Sequence, residues 1–217
     1  MCFLTIPTLF PSRRPRHYFP CQCNPNNLIY PPRSPSHHIR IEGGVWNCHS
    51  ATKKHMPEFI SAQATLKSLQ FLALTETWIS PDNTATPAAL STAHKFTHTP
   101  RPTGRTGGGT GILTSPKWNV RSINLSHLSL STFECHAISI TQPVPLIIIV
   151  LYRPPGTLGN FLEELDALIS LFPEDGTPLI LLGDFNLPTA EKYLPVTSLL
   201  SSFDLSLSPS PPHPRSG

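Results

Sequence analysis

Charge is scarce in this sequence. Only 13% of its 217 residues are Asp, Glu, Lys or Arg, against roughly a quarter in an average domain. The 16 basic and 13 acidic residues leave a net charge of +3. So mild an excess is compatible with nucleic acid and does not by itself argue for it. Long apolar runs are missing too. The opening MCFLTIPTLF is broken by Pro7, is followed by Pro11 and has no basic region ahead of it. It falls far short of the roughly 20 residues that span a bilayer, so no membrane segment is expected. The five cysteines are odd in number and scattered, with no signal peptide before them, which makes a reducing intracellular compartment the default. Cys21 and Cys23, in CQCNPNN, lack a second pair at zinc-ligand spacing and read as unpaired loop thiols. Also absent are a Gly-Lys-Ser/Thr phosphate loop and the spaced glycines of a dinucleotide fold. Gly107 to Gly109, in RPTGRTGGGTGILTS, therefore read as a flexible hairpin.

Proline, by contrast, is abundant. The 26 prolines cluster at the two ends, as in unfolded flanks around a better-patterned middle. Residues 1–38 are rich in Pro, Arg and His and follow neither helical nor strand period, so they are expected to form a disordered tail. Its basic stretch PSRRPRH is too short to be read as a targeting signal.

Pattern begins near Ile39. HIRIEGGVWNCHS alternates like a strand running into a loop. Phe59, Ile60, Gln63, Leu66 and Leu69 then recur at helical spacing, with Pro57 tolerated near a first turn. LQFLALTETW reads as a buried strand, FECHAISIT as a half-exposed one, and PLIIIVLYRPP as a buried strand stopped by Pro154 and Pro155. In LGNFLEELDALISLF, Phe161, Leu162, Leu165, Leu168, Ile169 and Phe172 share one helical face. Glu163, Glu164 and Asp166 lie off that stripe and read as a solvated face. A last buried strand is PLILLGDFNLP. Strands alternating with helices predict a layered α/β domain over residues 39–217.

The buried strands finish on a restricted set of polar residues: Asn47, Glu76, Tyr152, and Asp184 with Asn186. If those ends lie together, the groups converge at one rim, where sheets commonly place ligand sites. Carboxylates beside apolar strands are costly unless compensated, and a divalent cation is a usual remedy. Oxygen ligands suit magnesium or manganese, which also neutralise phosphate charge, so phosphoryl chemistry is the natural candidate.

WNCHS, LALTETWI, GGGTGIL, VLYRPPG and LLGDFNLP, in this order across residues 39–217, resemble the exonuclease/endonuclease/phosphatase superfamily. The resemblance is closest to the apurinic-type endonuclease domain of LINE-like non-LTR retrotransposons. It implies a four-layered α/β sandwich of two packed mixed sheets flanked by helices. It also implies magnesium-dependent nicking of target DNA, with manganese as a substitute, leaving a 3′-hydroxyl that primes a reverse transcriptase fused downstream. The expected compartment is then the nucleus. By motif, Glu76 matches the metal-ligating acid and Asn47 the amide that supports the metal and phosphate. Tyr152 matches the tyrosine near the scissile phosphate, Asp184 the acid that aligns the attacking water, and Asn186 the amide that holds the phosphate in the transition state.

The sequence departs from the pattern in two places. His49 stands where some relatives carry an acid, and it reads as a loop histidine. More seriously, the family ends in an Asp-His strand preceded by an acid-bearing strand, and no Asp-His dipeptide occurs in this sequence. His213, in a proline-rich stretch, does not replace it. The expectation is a domain lacking its last strands, with impaired activity. Two alternatives stand beside that reading: a non-catalytic or DNA-binding mobile-element remnant, and a phosphatase for small phosphorylated ligands.

Overall fold

The computed structural model describes residues 2–8, 16–20, 39–102, 104, 107–172, 176–187, 193–203 and 205–207; Cys21, Cys23 and His213 lie outside them. In chain order the elements are β1 (Cys2–Thr8), β2 (Arg16–Pro20), β3 (Ile39–Asn47), α1 (Met56–Leu66), β4 (Phe71–Thr75), α2 (Ala85–Leu90), β5 (Lys95–Thr99) and β6 (Thr110–Thr114). They continue with β7 (Asn119–Ser122), β8 (Glu134–Gln142), β9 (Leu146–Tyr152), α3 (Phe161–Ser170), β10 (Leu179–Asp184), α4 (Tyr193–Ser202) and β11 (Leu205–Leu207). Two mixed sheets result. The first runs β1-β3-β4-β6-β5 and the second β11-β2-β10-β9-β8-β7.

Parallel neighbours need a crossover, and a helix supplies it in both sheets. Helix α1 joins the parallel pair β3 and β4, and α3 joins the parallel pair β9 and β10. The helices cover opposite outer faces. Ile60 and Ala64 of α1 and Leu90 of α2 pack on Leu72, Leu74 and Leu113 of the first sheet. Phe161, Leu165, Leu168 and Ile169 of α3, with Val196 and Leu200 of α4, pack on Ile147, Ile149, Leu179 and Leu181 of the second. Between the sheets lies a third core, which includes Ile41, Val45, Phe71, Ala73, Ile112, Ile138, Ile148, Val150, Ile180 and Leu182. The order helix, sheet, sheet, helix is the four-layered α/β sandwich expected from the sequence.

Strand side chains alternate between faces, and this core therefore sets which residues look into the gap between the sheets. Counting by twos from it, Asn47 follows Val45, Thr75 follows Ala73, Thr110 precedes Ile112, Tyr152 follows Val150 and Asp184 follows Leu182. Each of these polar residues therefore caps an apolar column. On β8, Glu134 and His136 precede Ile138 on the same face.

Several expectations change. Helix α1 is present, but its buried face is Pro57, Ile60, Ser61 and Ala64. Phe59 and Leu66, placed on the stripe by their helical spacing, are 51% and 74% exposed. The small Ser61 and Ala64 let the helix approach the sheet closely, and the Phe59 ring instead meets the edge of Trp46 at 5.8 Å. Strand β8 is buried on both faces over most of its length, because α3 covers one side and the first sheet the other. Glu164 is not part of a solvated face. Its carboxylate accepts from the backbone N–H and hydroxyl of both Ser131 and Thr132, tying that loop to α3; these bonds hold its pKa below the usual carboxylate value against an opposing effect of burial. Residues 1–38, expected to be disordered, contribute two strands. β1 lies antiparallel on β3 along seven pairs, from Cys2 opposite Val45 to Thr8 opposite Ile39. β2 sits between β10 and β11. Periodicity could not reveal them, since what orders a short irregular segment is the open hydrogen-bonding edge of a neighbouring strand. Among the described residues no helix is long and apolar enough to cross a membrane.

One buried histidine ties the sheets together. His136, 5% exposed, places Nε2 2.9 Å from the Thr97 hydroxyl and Nδ1 3.1 Å from that of Thr99, both on β5. Burial, and then the neighbouring His98, push its pKa from 6.5 down to about 4. The unfolded chain therefore takes up a proton in this interval that the folded protein refuses. The stability from a neutral His136 is complete above pH 6.5 and declines as pH falls towards 4, by about 3 kcal/mol in all. In urea unfolding, His136→Gln should flatten the loss of stability between neutral and acidic pH; an undiminished decline would remove His136 as its source. Separately, a chain beginning at Ile39 leaves β3 and β10 without β1 and β2. It should unfold at lower temperature and self-associate, which thermal melts and light scattering will read.

Candidate active site

The strands that matter end at one rim. Asn47 is the last residue of β3, lying opposite Thr75 at the end of β4, and Glu76 comes immediately after. Tyr152 and Asp184 are the last residues of β9 and β10 and lie opposite one another. All four strands reach the rim by their C-terminal ends. Polar side chains on the two sheets then meet across the gap. Asn47 Nδ2 donates to Asp184 Oδ2 at 2.9 Å, and the Tyr152 hydroxyl donates to Glu76 Oε1. Asn186 lies two residues beyond Asp184 and donates from Nδ2 to the Arg153 carbonyl oxygen at 2.7 Å. Asn47, Glu76, Tyr152, Asp184 and Asn186 thus all come to the same rim. His49 is exposed in the loop after β3, where its backbone N–H reaches Asn47 Oδ1 at 3.3 Å.

Left-handed backbone is concentrated here. His49 (φ 43), Ser50 (φ 86), Glu76 (φ 56), Trp78 (φ 57) and Asn186 (φ 43) are all non-glycine residues, and such conformations persist only where the surroundings hold them. Glu76 is held from two sides. On one, Cys48, Ser50 and Ala51 donate backbone N–H groups to the carbonyls of Thr75, Glu76 and Thr77 at 3.1, 2.8 and 2.9 Å. On the other, Thr77 and Trp78 donate to the carbonyls of Gly109 and Gly108 at 3.1 and 2.9 Å. The Trp78 indole Nε1 also donates to Glu76 Oε2 at 2.7 Å. Both oxygens of the carboxylate are therefore oriented.

The tip of β10 is fixed differently. Gly183 has φ 147 and runs so close to Leu151 that a Cβ would strike its backbone, so glycine alone lets Asp184 stand beside Tyr152. Beyond it, Arg153 is 1% exposed. Its guanidinium donates to the carbonyl oxygens of Asn186 at 2.8 Å, Gly156 at 2.6 Å, Phe185 and Thr157, and lies 5.6 Å from the centre of the Phe161 ring. Its own N–H meets the Asp184 carbonyl at 2.8 Å. A planar fork with five donors suits this task and an ammonium does not. Sequence pattern assigns no role to the Arg in VLYRPPG, nor to Trp78; an Arg directly after a buried strand was the available signal.

The electrostatics suit phosphate chemistry. Burial raises the Asp184 carboxyl above the usual Asp range and the Glu76 charge adds to this, while hydrogen bonds from Asn47 and Asn186 hold it back. The Tyr152 phenol is pushed well above its usual value, first by burial, then by its bond to Glu76 and by the charges of Glu76, Asp184 and Glu134. It is a firmly protonated donor. Negative charge thus gathers around one phenol, an arrangement a divalent cation relieves. Among the described residues no three His, Cys, Asp or Glu side chains close on one point. A cation would rest on Glu76 with amide, water and substrate oxygens completing its shell, which is the habit of magnesium.

Comparison with known proteins bears on both fold and family. A search of curated proteins finds no match. Among solved structures the chain resembles the 3′ phosphatase NExo from Neisseria bound to a product DNA hairpin, with 15% identity and TM-score 0.56 over 72% of this chain and 69% of that one. It resembles the endonuclease domain of TRAS1, a telomere-specific non-LTR retrotransposon, with 13% identity and TM-score 0.52 over 73% and 70%. It also resembles the AP endonuclease LMAP from Leishmania major, with 13% identity and TM-score 0.52 over 72% and 65%. At such identities the likeness speaks for the fold. The chain spans between 62% and 70% of the length of these structures and of TDP2 from D. rerio. Residues 44–200, from the middle of β3 into α4, match the Endonuclease/Exonuclease/phosphatase family, and the chain belongs to that family.

Proposed function

We propose that the chain is a divalent-metal-dependent phosphodiesterase that nicks DNA, the endonuclease of a non-LTR retrotransposon that acts in the nucleus with a reverse transcriptase. The observation that carries the reading is the pair of contacts across the sheets, Asn47 to Asp184 and Tyr152 to Glu76. They gather an acid for metal, an acid for water and a neutral donor for phosphate at one rim. The order of motifs and their likeness to the retrotransposon branch support the choice of DNA.

Glu76 would hold magnesium, or manganese in its place, with the Asn47 amide beside it; the bound ion supplies charge neutralisation at the phosphate. Asp184, its basicity raised by burial, would align a water for in-line attack and take its proton, while the opposite P–O3′ bond breaks and the departing oxygen, protonated from solvent, becomes the 3′-hydroxyl. Tyr152, kept protonated, would turn its one hydroxyl proton from Glu76 to a non-bridging phosphate oxygen when the carboxylate takes up a cation in its place. Asn186, anchored through Arg153, steadies the phosphate as charge builds. Among the residues of this sequence, that charge is met by Tyr152 and Asn186, beside the cation. A second reading is a mobile-element remnant that binds DNA without cutting it.

Nicking of supercoiled plasmid with magnesium tests the first reading. Asp184→Ala should slow it by about 100-fold or more. Equal nicking by wild type and Asp184→Ala would refute catalysis at this site. Salt-dependent DNA binding without cleavage would support the remnant, and phosphate release from inositol phosphates would turn the reading towards small ligands. Arg153→Lys keeps the charge but cannot serve the carbonyls. It should lose about 3 kcal/mol of stability and lower kcat more than it raises KM, because Asn186 is released; an unchanged kcat at full folding would remove Arg153 from the site's support.

A further inference from the structure

The Gly107–Gly109 loop reads from the sequence as a flexible hairpin. In the structure its backbone is gripped from the opposite sheet. Glu134, the first residue of β8 and the one facing Tyr152 across the β8–β9 pair, accepts the Gly109 N–H through Oε2 at 2.5 Å. Its other oxygen would lie only 2.4 Å from a Cβ at Gly108, and Gly108 and Gly109 hold φ 85 and 83. Glycine here has two reasons: the left-handed backbone and the carboxylate pressed against it. The same two residues carry the carbonyls that receive Thr77 and Trp78. A Cβ at Gly107 would lie 3.5 Å from Glu76 Oε2 and 4.0 Å from Trp78 Nε1.

We propose that Glu134 is a positioning residue for Glu76, acting through Gly108–Gly109 and Trp78. The chain of contacts is short. Glu134 fixes the glycine backbone, the glycine carbonyls fix Thr77 and Trp78, and the Trp78 indole sets the carboxylate plane of Glu76. Gly107–Gly109 have no side chains of their own, so their orientation depends on the groups that bond their backbone. Groups that orient a metal ligand from behind typically change metal affinity 10- to 100-fold when removed. The functional part of this inference rests on the reading of Glu76 as the metal-holding acid, whereas the orientation of Glu76 does not.

Protein labelled with ¹⁵N on its tryptophan indoles separates the two. In metal-free protein, with Trp78→Phe assigning the signal, Glu134→Ala should speed exchange of the Trp78 indole proton about ten-fold and leave that of the buried Trp118 unchanged. Glu134→Gln retains an acceptor for Gly109 and should fall between. Gly108→Ala, which drives the loop and Glu134 apart, should reproduce the Glu134→Ala effect. Terbium titration, read as luminescence sensitised by Trp78, should show half-saturation raised about ten-fold in Glu134→Ala. Unchanged Trp78 exchange in Glu134→Gln and Gly108→Ala, or exchange rising equally at Trp118, would overturn the positioning role. If the exchange results hold but wild type gives no terbium signal, the metal reading of Glu76 fails and the positioning of its side chain stands.

Discussion

The candidate site hangs on two hydrogen bonds that bridge the sheets, Asn47 to Asp184 and Tyr152 to Glu76. Each joins one residue from the first sheet to one from the second, and each sits on top of the apolar layer between them. A hydrogen bond loses its strength within fractions of an ångström, so these pairs require the spacing of the sheets to be held closely. That spacing is set by Phe71, Ile112, Ile148, Val150 and Leu182, all buried. The site is in this sense the polar end of a core, and its geometry is inherited from close packing rather than from loops.

The supports behind the site are as specific as the groups that face it. Arg153 is a fully buried cation whose guanidinium hydrogen bonds, among the described residues, go to backbone carbonyls. Glu134 reaches across from β8 to the glycine loop. Both trade the solvation of a charge for control of backbone that has no regular hydrogen bonding of its own. Left-handed residues at His49, Ser50, Glu76, Trp78 and Asn186 mark where that control is exerted. They are also the points at which sheet geometry is abandoned so that side chains can turn into the rim.

The sequence was most legible where length and hydrophobicity agreed. Strands β4, β9 and β10 are runs buried on both faces, and α3 shows its buried stripe openly. Illegible were α2, six residues with a proline at its centre, and β7, a polar edge strand. So were β1 and β2, whose ordering comes from the strands they lie against. The exposed Phe59 shows the limit of periodicity in α1: a helix face is chosen by what fits the sheet, and Ala64 fits where a ring does not.

By itself the sequence determined the alternation of strands and helices and placed Asn47, Glu76, Tyr152, Asp184 and Asn186 at strand ends, since each apolar run must stop and these polar residues stand where the runs stop. Only the tertiary structure decided that Glu76 meets Tyr152 and Asp184 meets Asn47, because the four come from two sheets whose facing surfaces are not encoded in local pattern. It alone revealed Arg153, Trp78 and Glu134 as supports. Their residue types are unremarked in sequence, and their meaning depends on carbonyls, indole and glycine backbone brought to them from elsewhere in the chain.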